Sequence, residues 1–309
     1  MNELDFPYQE VYCLESADVD HTQTLRPTTI NRLLQEIAWK HAKSLGVGYD
    51  QTDFQALYWV LVRLDFQITG SLPKWGDQIR VKTRPAGFDK LYAYREFQLL
   101  TSTVTEDNRP IEIEFCRATS TWVIIDQLSR KLQKPDGYLS KQVPPAPPRL
   151  IEQRAPKIPR LQELPQTQTI SVHPGYNEVD LHHHVNNVIY LQWFLQTIDK
   201  PVIEHWTYAR VVLNFTEESF WGDTLDICST YGTCTDGESL SPVTVGSLTQ
   251  SQLEQLSVQS TNQVLLCSYH QAQHQSPKSN LACVGHIFWK PRTLQEVEKE
   301  ATLHQHAHQ

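Results

Sequence analysis

The 309-residue sequence lacks several features that would identify a class of protein at once. No apolar stretch reaches the ~18–20 residues that a membrane-spanning helix needs, so no membrane span is expected. The start, Met1–Tyr8, has no basic segment followed by an apolar run and therefore is not a secretory signal, nor is it an Arg- and Ser-rich transit peptide. We expect a complete chain that is cytoplasmic.

Cysteine motifs and several familiar catalytic motifs are missing as well. The six cysteines form no CxxC pair and no zinc-like cluster, which predicts reduced thiols and no bound metal. The sequence contains no G-x-S-x-G nucleophile elbow, no P-loop and no G-x-G-x-x-G. A serine hydrolase of the α/β type is therefore disfavoured, and no cofactor is expected.

Basic residues are scarce in the second half of the chain. The formal net charge of −8 argues against a nucleic-acid partner. Residues 1–160 contain 21 basic and 20 acidic residues, whereas residues 161–309 contain 6 and 15. An acidic partner is therefore expected to dock mainly on surface from the first half. The alternative is that the uneven charge only increases solubility.

The strongest feature that is present is an internal repeat. In each copy an aspartate, Asp20 or Asp180, is followed by a helical pattern of apolar residues and then by a β-rich run ending in Leu-x-Phe. The tripeptide Trp-Gly-Asp follows each run, at Trp75–Asp77 and Trp221–Asp223. The matched order argues against chance. It predicts an α+β fold with a long helix buried against an antiparallel sheet in each copy.

The predicted strands follow the same order in both copies. They are Trp59–Phe66, Gln78–Lys82, Leu91–Thr101 and Phe115–Asp126 in the first copy, and Ala209–Phe215, Thr224–Cys228, Val264–His270 and Ala282–Trp289 in the second.

Composition sets the predicted domain boundaries. The Pro-rich segment 134–166 is expected to be a linker, because proline lacks an amide donor and stiffens the chain. It separates an N-terminal domain, 1–133, from a C-terminal domain, 167–295, and a tail covers 296–309. A segment rich in Ser, Thr and Gln, 236–263, interrupts the second copy and is expected to be a mobile loop.

The densest polar cluster, Asp180–Asn187, lies at the start of the second helix. The amides at a helix N-terminus can stabilise a developing oxyanion. Three adjacent histidines do not converge on one point, so we expect no metal there. Glu217 and Glu218 follow the strand that ends at Phe215. A carboxylate beside an imidazole could activate water, although two glutamates could equally form a solvated strand end.

The run D-x-x-x-H-V-N-N-V-x-Y, Asp180–Tyr190, resembles the active-site signature of plant and bacterial acyl-ACP thioesterases. The N-terminal half is also similar to that family, in His41–Tyr49, Trp59–Arg63, Pro73–Asp77 and Ala118–Asp126. The resemblance implies two tandem hotdog domains. It places the acyl chain in the N-terminal domain and catalysis in the C-terminal domain.

The resemblance also implies roles for individual residues. Asp180, His184 and Glu218 match the family's aspartate, histidine and glutamate, whereas His182 stands where the family usually has asparagine. Ser219 stands where plant members have cysteine, which favours water activated by Glu218 over a cysteine nucleophile. The hypothesis is that Glu218 is the general base, His184 polarises the reacting groups and Asp180 orients the loop. Helix amides would stabilise the oxyanion.

Two further sets of residues are predicted to bind the substrate. The acyl chain is expected to contact residues of the first helix and one residue at the start of the second, namely Leu33, Leu34, Ile37, Trp39 and Asn186. The acidic acyl carrier protein is expected to dock on the basic residues Lys74, Arg80, Lys82, Arg84, Lys90 and Arg95.

The predicted function is hydrolysis of fatty acyl-ACP to free fatty acid and holo-ACP. Two alternatives stay open: an acyl-CoA thioesterase, and a non-catalytic acyl-binding hotdog protein in which His182 has replaced the usual asparagine. A monomer and a homodimer are both compatible with two fused copies.

Overall fold

The computed structural model describes residues 6–48, 56–104, 107, 109–139, 151, 153–158, 168–235, 239–245, 264–275 and 280–292. The chain divides into two compact units, Met1–Lys157 and Ile158–Gln309. Each unit contains an antiparallel sheet and one main helix, the arrangement that the sequence repeat predicts.

The first unit contains six strands and two helices in its described part. Helix α1 covers Pro27–Ser44 and helix α2 covers Asp136–Leu139. The strands are β1 (Tyr8–Cys13), β2 (Leu57–Ile68), β3 (Gln78–Asp89), β4 (Tyr92–Val104), β5 (Pro110–Asp126) and β6 (Leu132–Gln133). Their order in the sheet is β1-β3-β4-β5-β2, and β6 pairs with β5.

Helix α1 carries the apolar face that its sequence spacing predicts. Pro27 occupies the first helical turn, where its missing N–H costs nothing and its fixed φ favours the helix. Leu33, Leu34 and Ile37 are all buried on the side that contacts β3. Trp39 is 42% exposed and is stacked under Lys43 instead. The predicted acyl contact at Trp39 is therefore wrong for this conformation, because the side chain lies on the solvent face of the helix.

The second unit contains six strands and two helices in its described part. Helix α3 covers Asn187–Gln196 and helix α4 covers Lys200–His205. The strands are β7 (Gln168–Val172), β8 (Trp206–Phe215), β9 (Leu225–Thr235), β10 (Ser239–Val245), β11 (Val264–His274) and β12 (Leu281–Pro291). Their order in the sheet is β8-β12-β11-β9-β10, and β7 pairs with β9.

Helix α3 is shorter than predicted. The apolar pattern continues to Ile198, but the helix ends at Gln196, and Thr197 donates its hydroxyl to the carbonyl of Phe194 at 2.8 Å. Asp199 then adopts extended backbone, with φ −63° and ψ 139°, as the N-cap of α4, so the two helices are not continuous. The second copy therefore has one helix of moderate length and a separate short one.

Several elements escaped the sequence-based prediction. Strands β1 and β7 were not expected, although each pairs along the edge of its sheet with β3 or β9. Strand β10 lies in the predicted mobile insertion, and helix α2 lies in the predicted linker, so neither segment is wholly irregular. Residues 246–263 of the insertion and the tail from 293 lie outside the described residues.

Gly285 allows α3 to lie close to the second sheet. A Cβ atom at this position would come within 2.7 Å of the Phe194 ring and 3.0 Å of Leu213 Cδ2. Both neighbours are completely buried. Packing in a core of this density leaves no room for the shift that even one methyl group would require. The absence of a side chain at Gly285 therefore fixes how near the C-terminal part of α3, at Phe194, can approach the sheet.

Two of the basic residues predicted to dock a carrier protein are directed inward. Arg84 is 1% exposed and forms an ion pair with buried Glu96 at 2.7 Å. The guanidinium of Arg95 lies 2.8 Å from His41 Nδ1 and 3.2 Å from Thr83 Oγ1, and burial lowers its pKa to about 10. The docking prediction is therefore wrong for Arg84, because a charged side chain enclosed in this way cannot reach a partner. Arg95 is partly buried with its guanidinium directed to His41 and Thr83, and its role in docking stays a prediction.

The other four basic candidates differ in how much charge they can offer. Arg80 and Lys82 of β3 both pair with Glu112 of β5, across the intervening strand β4. Lys74 and Lys90 are exposed, in the turns before and after β3.

In the part of the chain that the structure describes, the cysteines Cys13, Cys116, Cys228, Cys267 and Cys283 are free. No helix within the described ranges is both long and apolar enough to cross a bilayer.

Three histidines are buried in the cores of the two units. His41, His270 and His286 are 3%, 0% and 5% exposed. Burial lowers the pKa of each to about 3, with a smaller contribution from Arg95 near His41 and Arg210 near His286. All three are therefore neutral in the folded protein at neutral pH.

These histidines predict a loss of stability in mild acid. Each has a folded pKa below its unfolded value of about 6.5, so unfolding takes up protons once the pH falls below that value. Stability is full above pH ~6.5 and falls towards pH ~3, by about 1.4 kcal/mol per pH unit for each histidine. Denaturant unfolding at a series of pH values measures this slope.

His270→Gln provides the matched comparison for that slope. The variant removes one of the groups that take up a proton on unfolding, so its stability should depend less steeply on pH between about 6 and about 5. A slope equal to that of the unmodified protein would contradict the assignment of a neutral, buried His270.

Candidate active site

The predicted catalytic segment forms a tight turn around the side chain of Asp180. Asp180 Oδ1 accepts hydrogen bonds from the backbone N–H groups of His182 at 2.8 Å and His184 at 3.4 Å. The Asp180 N–H donates to the His184 carbonyl at 2.8 Å. His183 has a φ of +63°, a left-handed conformation that histidine tolerates better than most residues. This turn delivers the chain to the start of α3.

The first unit contains the same turn, built on Asp20. Asp20 Oδ1 accepts from the N–H groups of Thr22 at 2.8 Å and Thr24 at 3.1 Å, and the Asp20 N–H donates to the Thr24 carbonyl at 2.8 Å. Gln23 has a φ of +61° at the position equivalent to His183. The sequence repeat therefore corresponds to the same backbone turn, with the same hydrogen bonds and the same positive φ, before the main helix of each unit.

In the second unit this turn is joined to the Trp-Gly-Asp turn that follows β8. The Val185 N–H donates to the Ser219 carbonyl at 2.8 Å, and His184 forms an isolated antiparallel bridge with Phe220. Gly222 adopts a φ of +86°, which an L side chain would strain, and Asp223 Oδ2 accepts the Phe220 N–H at 2.8 Å. The two turns thus support each other.

The first unit repeats this junction as well. The Leu25 N–H donates to the Pro73 carbonyl at 3.0 Å, and Thr24 forms an isolated bridge with Lys74. Gly76 has a φ of +85°, matching Gly222. Pro73 and Ser219 are therefore equivalent positions, and so are the residues that precede them, Leu72 and Glu218.

The junction places a carboxylate beside an imidazole. His184 Nδ1 lies 3.6 Å from Glu218 Oε1, and the two side chains are 20% and 24% exposed, respectively. The Phe220 ring meets the imidazole edge-on at a centroid distance of 5.1 Å. Glu217 points elsewhere, because its Oε1 accepts from Asn280 Nδ2 at 2.9 Å and the residue is exposed. Of the two glutamates, only Glu218 faces the imidazole.

At the equivalent positions of the first unit this chemistry is missing. Thr24 replaces His184 and Leu72 replaces Glu218, so neither an imidazole nor a carboxylate stands at these two positions. Asp20 holds the turn in the first unit, as Asp180 does in the second. The geometry therefore separates a role in folding, which both aspartates have, from the imidazole–carboxylate pair, which of these two junctions only the second contains.

The start of α3 differs from what was predicted. Asn186 caps the helix: its side-chain oxygen accepts the Val188 N–H at 2.9 Å, and its carbonyl accepts the Ile189 N–H at 2.9 Å. The amides of Val188 and Ile189 are therefore occupied, and the prediction that amides at the start of α3 stabilise an oxyanion stays a prediction for the rest of that helix start. A cap is the contact that the structure gives to Asn186, and its predicted contact with substrate stays a prediction.

The pKa of His182 lies below its ordinary value. Burial, the largest cause, lowers its pKa, and the nearby carboxylates of Asp180 and Glu218 act in the opposite direction without reversing the shift. His182 is therefore neutral at neutral pH. A neutral imidazole has one N–H to donate, which is half of what an asparagine amide offers.

Within the described ranges, no three His, Cys, Asp or Glu side chains stand close enough together to hold a metal ion. The prediction from sequence did not include two residues at this site, Tyr190 and His274, whose side chains both contact Ser219. Tyr190 lies one helical turn after Asn186, and this spacing could have indicated that it faces the same side. His274 lies 55 residues from Ser219, and no local pattern connects them.

Comparison with known proteins identifies the family. The model of the acyl-ACP thioesterase N-terminal domain matches residues 5–139, and the model of the C-terminal domain matches residues 162–279. The chain belongs to the acyl-ACP thioesterase family.

Curated relatives come from plants. The oleoyl-acyl carrier protein thioesterase 1, chloroplastic, of Arabidopsis thaliana is 29% identical over 246 residues, covering 74% of this chain and 65% of the relative. The palmitoyl-acyl carrier protein thioesterase, chloroplastic, of Cuphea hookeriana is 27% identical over 222 residues, covering 68% and 51%, respectively. The match thus spans about two thirds or less of the length of these relatives.

Solved structures show the same fold. An acyl-ACP thioesterase from Bacteroides thetaiotaomicron has 18% identity and a TM-score of 0.65, covering 92% of this chain and 97% of that one. A 12:0-ACP thioesterase from Umbellularia californica has 19% identity and a TM-score of 0.67, covering 92% and 94%. The predicted α+β fold with two hotdog domains is confirmed.

The paired turns predict equal structural effects of two substitutions. Asp20→Ala and Asp180→Ala should each lower the free energy of unfolding by about 1–3 kcal/mol, because backbone N–H groups lose their acceptor. Asp20→Asn and Asp180→Asn should cost less, since an amide oxygen can still accept. Denaturant unfolding of the four variants measures this. If either alanine variant is as stable as the unmodified protein, its carboxylate does not hold the turn.

Proposed function

We propose that this protein hydrolyses fatty acyl thioesters of acyl carrier protein, releasing free fatty acid and holo-ACP. The observation that carries the proposal is the pairing of His184 with Glu218 in the second unit, at positions where the first unit has Thr24 and Leu72. Family membership supports the substrate class, because the curated relatives are named as acyl carrier protein thioesterases.

The carboxylate of Glu218 is the general base in this mechanism. It takes a proton from a water molecule, whose oxygen attacks the carbonyl carbon of the thioester. The tetrahedral intermediate then collapses, the C–S bond breaks, and the proton held by Glu218 passes to the leaving thiolate. Atoms and charge balance without a covalent acyl-enzyme. The His184–Glu218 distance of 3.6 Å is typical of a site that tightens once substrate is bound.

The oxyanion is stabilised by imidazole N–H groups in this scheme. The amides of Val188 and Ile189 are already bonded, so we assign the donor role to the side chains of His184 and His182. A neutral His182 can supply one N–H without adding charge to the site. Donors fixed in advance around the developing charge account for a large share of the rate in reactions of this type.

The general base is tested with its neighbour as the control. Glu218→Gln should lower kcat for acyl-ACP hydrolysis by about 10²- to 10⁴-fold, because glutamine cannot accept the proton of water. Glu217→Gln makes the same change one residue earlier, on an exposed side chain bonded to Asn280, and should leave kcat within about twofold. Thiol release from carrier protein loaded with saturated medium and long chains measures both.

Each outcome of that assay decides something. Equal loss in the two glutamine variants would mean a general effect of charge and not a base at Glu218. Release from coenzyme A thioesters alone would replace the carrier protein as substrate. No release from either would favour the acyl-binding alternative.

We also propose that acyl carrier protein docks on exposed basic residues of the first unit, with Lys74 and Lys90 the most exposed of those predicted. Arg80 and Lys82 share Glu112, which reduces the charge that they can offer. That the acyl chain contacts Leu33, Leu34 and Ile37, and that the protein is cytoplasmic and either monomeric or dimeric, remain predictions.

The docking proposal predicts a rate that depends on salt. With acyl-ACP, kcat/KM should fall several-fold between about 50 mM and about 500 mM NaCl, because screening weakens electrostatic steering of an acidic partner. Lys74→Glu and Lys90→Glu should lower kcat/KM and leave kcat unchanged. A neutral pantetheine thioester of the same acyl group is the control, and its hydrolysis should not respond to salt. An acyl-ACP rate that ignores salt would contradict docking on these lysines.

A further inference from the structure

Ser219, which directly follows Glu218, is the centre of a buried chain of hydrogen-bonding side chains. It is completely buried, and its Oγ lies 2.8 Å from the Tyr190 hydroxyl and 3.1 Å from His274 Nε2. His274 Nδ1 in turn lies 3.6 Å from Asp223 Oδ2. Residues from α3, the turn after β8 and the end of β11 therefore meet behind the proposed general base. We call Tyr190, Ser219, His274 and Asp223 the serine relay.

The chemistry of these groups determines which one donates and which one accepts in each hydrogen bond. The carboxylate of Asp223 favours a proton on His274 Nδ1, which leaves Nε2 as an acceptor. A serine hydroxyl has one proton to donate and can accept in return. Ser219 therefore donates to His274 and accepts from Tyr190, whose pKa burial raises, so that it stays a protonated donor. The donors and acceptors along the relay are matched.

The first unit shows that the fold does not need the relay. Pro73 and Ser219 occupy equivalent positions. The carbonyl of each accepts the N–H of the residue that follows the aspartate turn, which is Leu25 in the first unit and Val185 in the second. Counting from the first residue of each helix, Ile30 occupies the position of Tyr190. Neither Pro73 nor Ile30 has a side chain that can form a hydrogen bond. The turn scaffold therefore forms in the first unit without hydrogen bonds from the side chains at these two positions.

The relay occurs in the unit that also has His184 and Glu218. The backbone of Ser219 already pairs with Val185, beside His184. Its side chain is fixed from the opposite side, by Tyr190 and His274. Because its carbonyl and its hydroxyl are both hydrogen-bonded, Ser219 has little freedom to move. The position of the preceding residue, Glu218, is restricted as a result.

We propose that Ser219, held by Tyr190 and His274, is a positioning residue that fixes the carboxylate of Glu218 relative to His184. The proposal rests on the thioesterase function proposed above. A serine, a histidine and an aspartate in this order resemble the triad of a nucleophilic hydrolase. Ser219 Oγ, however, is fully enclosed, so a thioester carbonyl cannot reach it. The relay orients the base and forms no bond to the acyl group.

The test uses substitutions that remove single polar groups. In Ser219→Ala and Tyr190→Phe, kcat for acyl-ACP should fall by about tenfold while KM changes by less than about twofold, because a misplaced base slows the chemical step and leaves substrate binding intact. Ser219→Cys should recover part of the rate, since a thiol retains a weak donor and acceptor.

Ser268→Ala is the matched control. Ser268 is also a completely buried serine whose Oγ lies 2.9 Å from the Nε2 atom of a histidine, His270, on the same strand β11. The substitution removes the same atoms from the same kind of pair at a place outside the relay. It should lower stability as much as Ser219→Ala does, yet leave kcat unchanged. Equal loss of kcat in both alanine variants would show a general packing effect and overturn the proposal.

Failure of this inference and failure of the proposed function have different signatures. An active enzyme whose kcat is unaffected by Ser219→Ala would refute the positioning role alone, as would an acyl adduct on Ser219 detected by intact-protein mass spectrometry of Glu218→Gln. A folded protein inactive on every thioester would refute the function. In that case ¹⁵N NMR of the His274 ring decides the relay: an Nε2 resonance that shifts in Ser219→Ala, because its hydrogen-bond partner is gone, supports it, and an unchanged Nε2 resonance overturns it.

Discussion

The proposed site depends on one carboxylate oxygen that satisfies two backbone amides. Asp180 Oδ1 closes the turn before α3, and the turn in turn sets the direction in which the His184 side chain leaves the backbone. It also presents the Val185 N–H to the carbonyl of Ser219, which draws the end of β8 and its carboxylate to the same place. Without that acceptor, the N–H groups of His182 and His184 would lack their partner. The turn would then no longer hold the His184 imidazole beside the Glu218 carboxylate.

The two units show how one frame can serve two purposes. In the first unit the same turn is lined by threonine and leucine, and α1 carries a wide buried apolar face of Leu33, Leu34 and Ile37. In the second unit the frame carries titratable groups, a shorter α3 and Gly285, which lets Phe194 lie against the sheet. The backbone hydrogen bonds are common to both, so the difference between the units lies in side chains that those bonds do not require.

Much of this architecture can be predicted from the sequence, because hydrophobic periodicity and the residue preferences of turns depend on neighbouring residues. The repeat, the strand order along the chain and the Trp-Gly-Asp turns with Gly76 and Gly222 all follow from neighbouring residues. The errors have another origin. In the sequence alone Arg84 is indistinguishable from a surface residue, and only the pairing of β3 with β4 places it beside Glu96. His274 is far from Ser219 in sequence, and only the fold brings the end of β11 to the site. In the same way, Asn186 could only be identified as a cap once the start of the helix was known.

The aspartate turn has a consequence for how sequences of this kind are interpreted. Because Asp20 satisfies backbone amides of its own turn, an aspartate at this place in a sequence does not by itself indicate an active site. The side chains of Thr24 and Leu72 are not needed for the hydrogen bonds that join the two turns, because those bonds run between backbone atoms. Side chains at such positions can therefore differ between the two halves of the chain while the backbone frame stays the same.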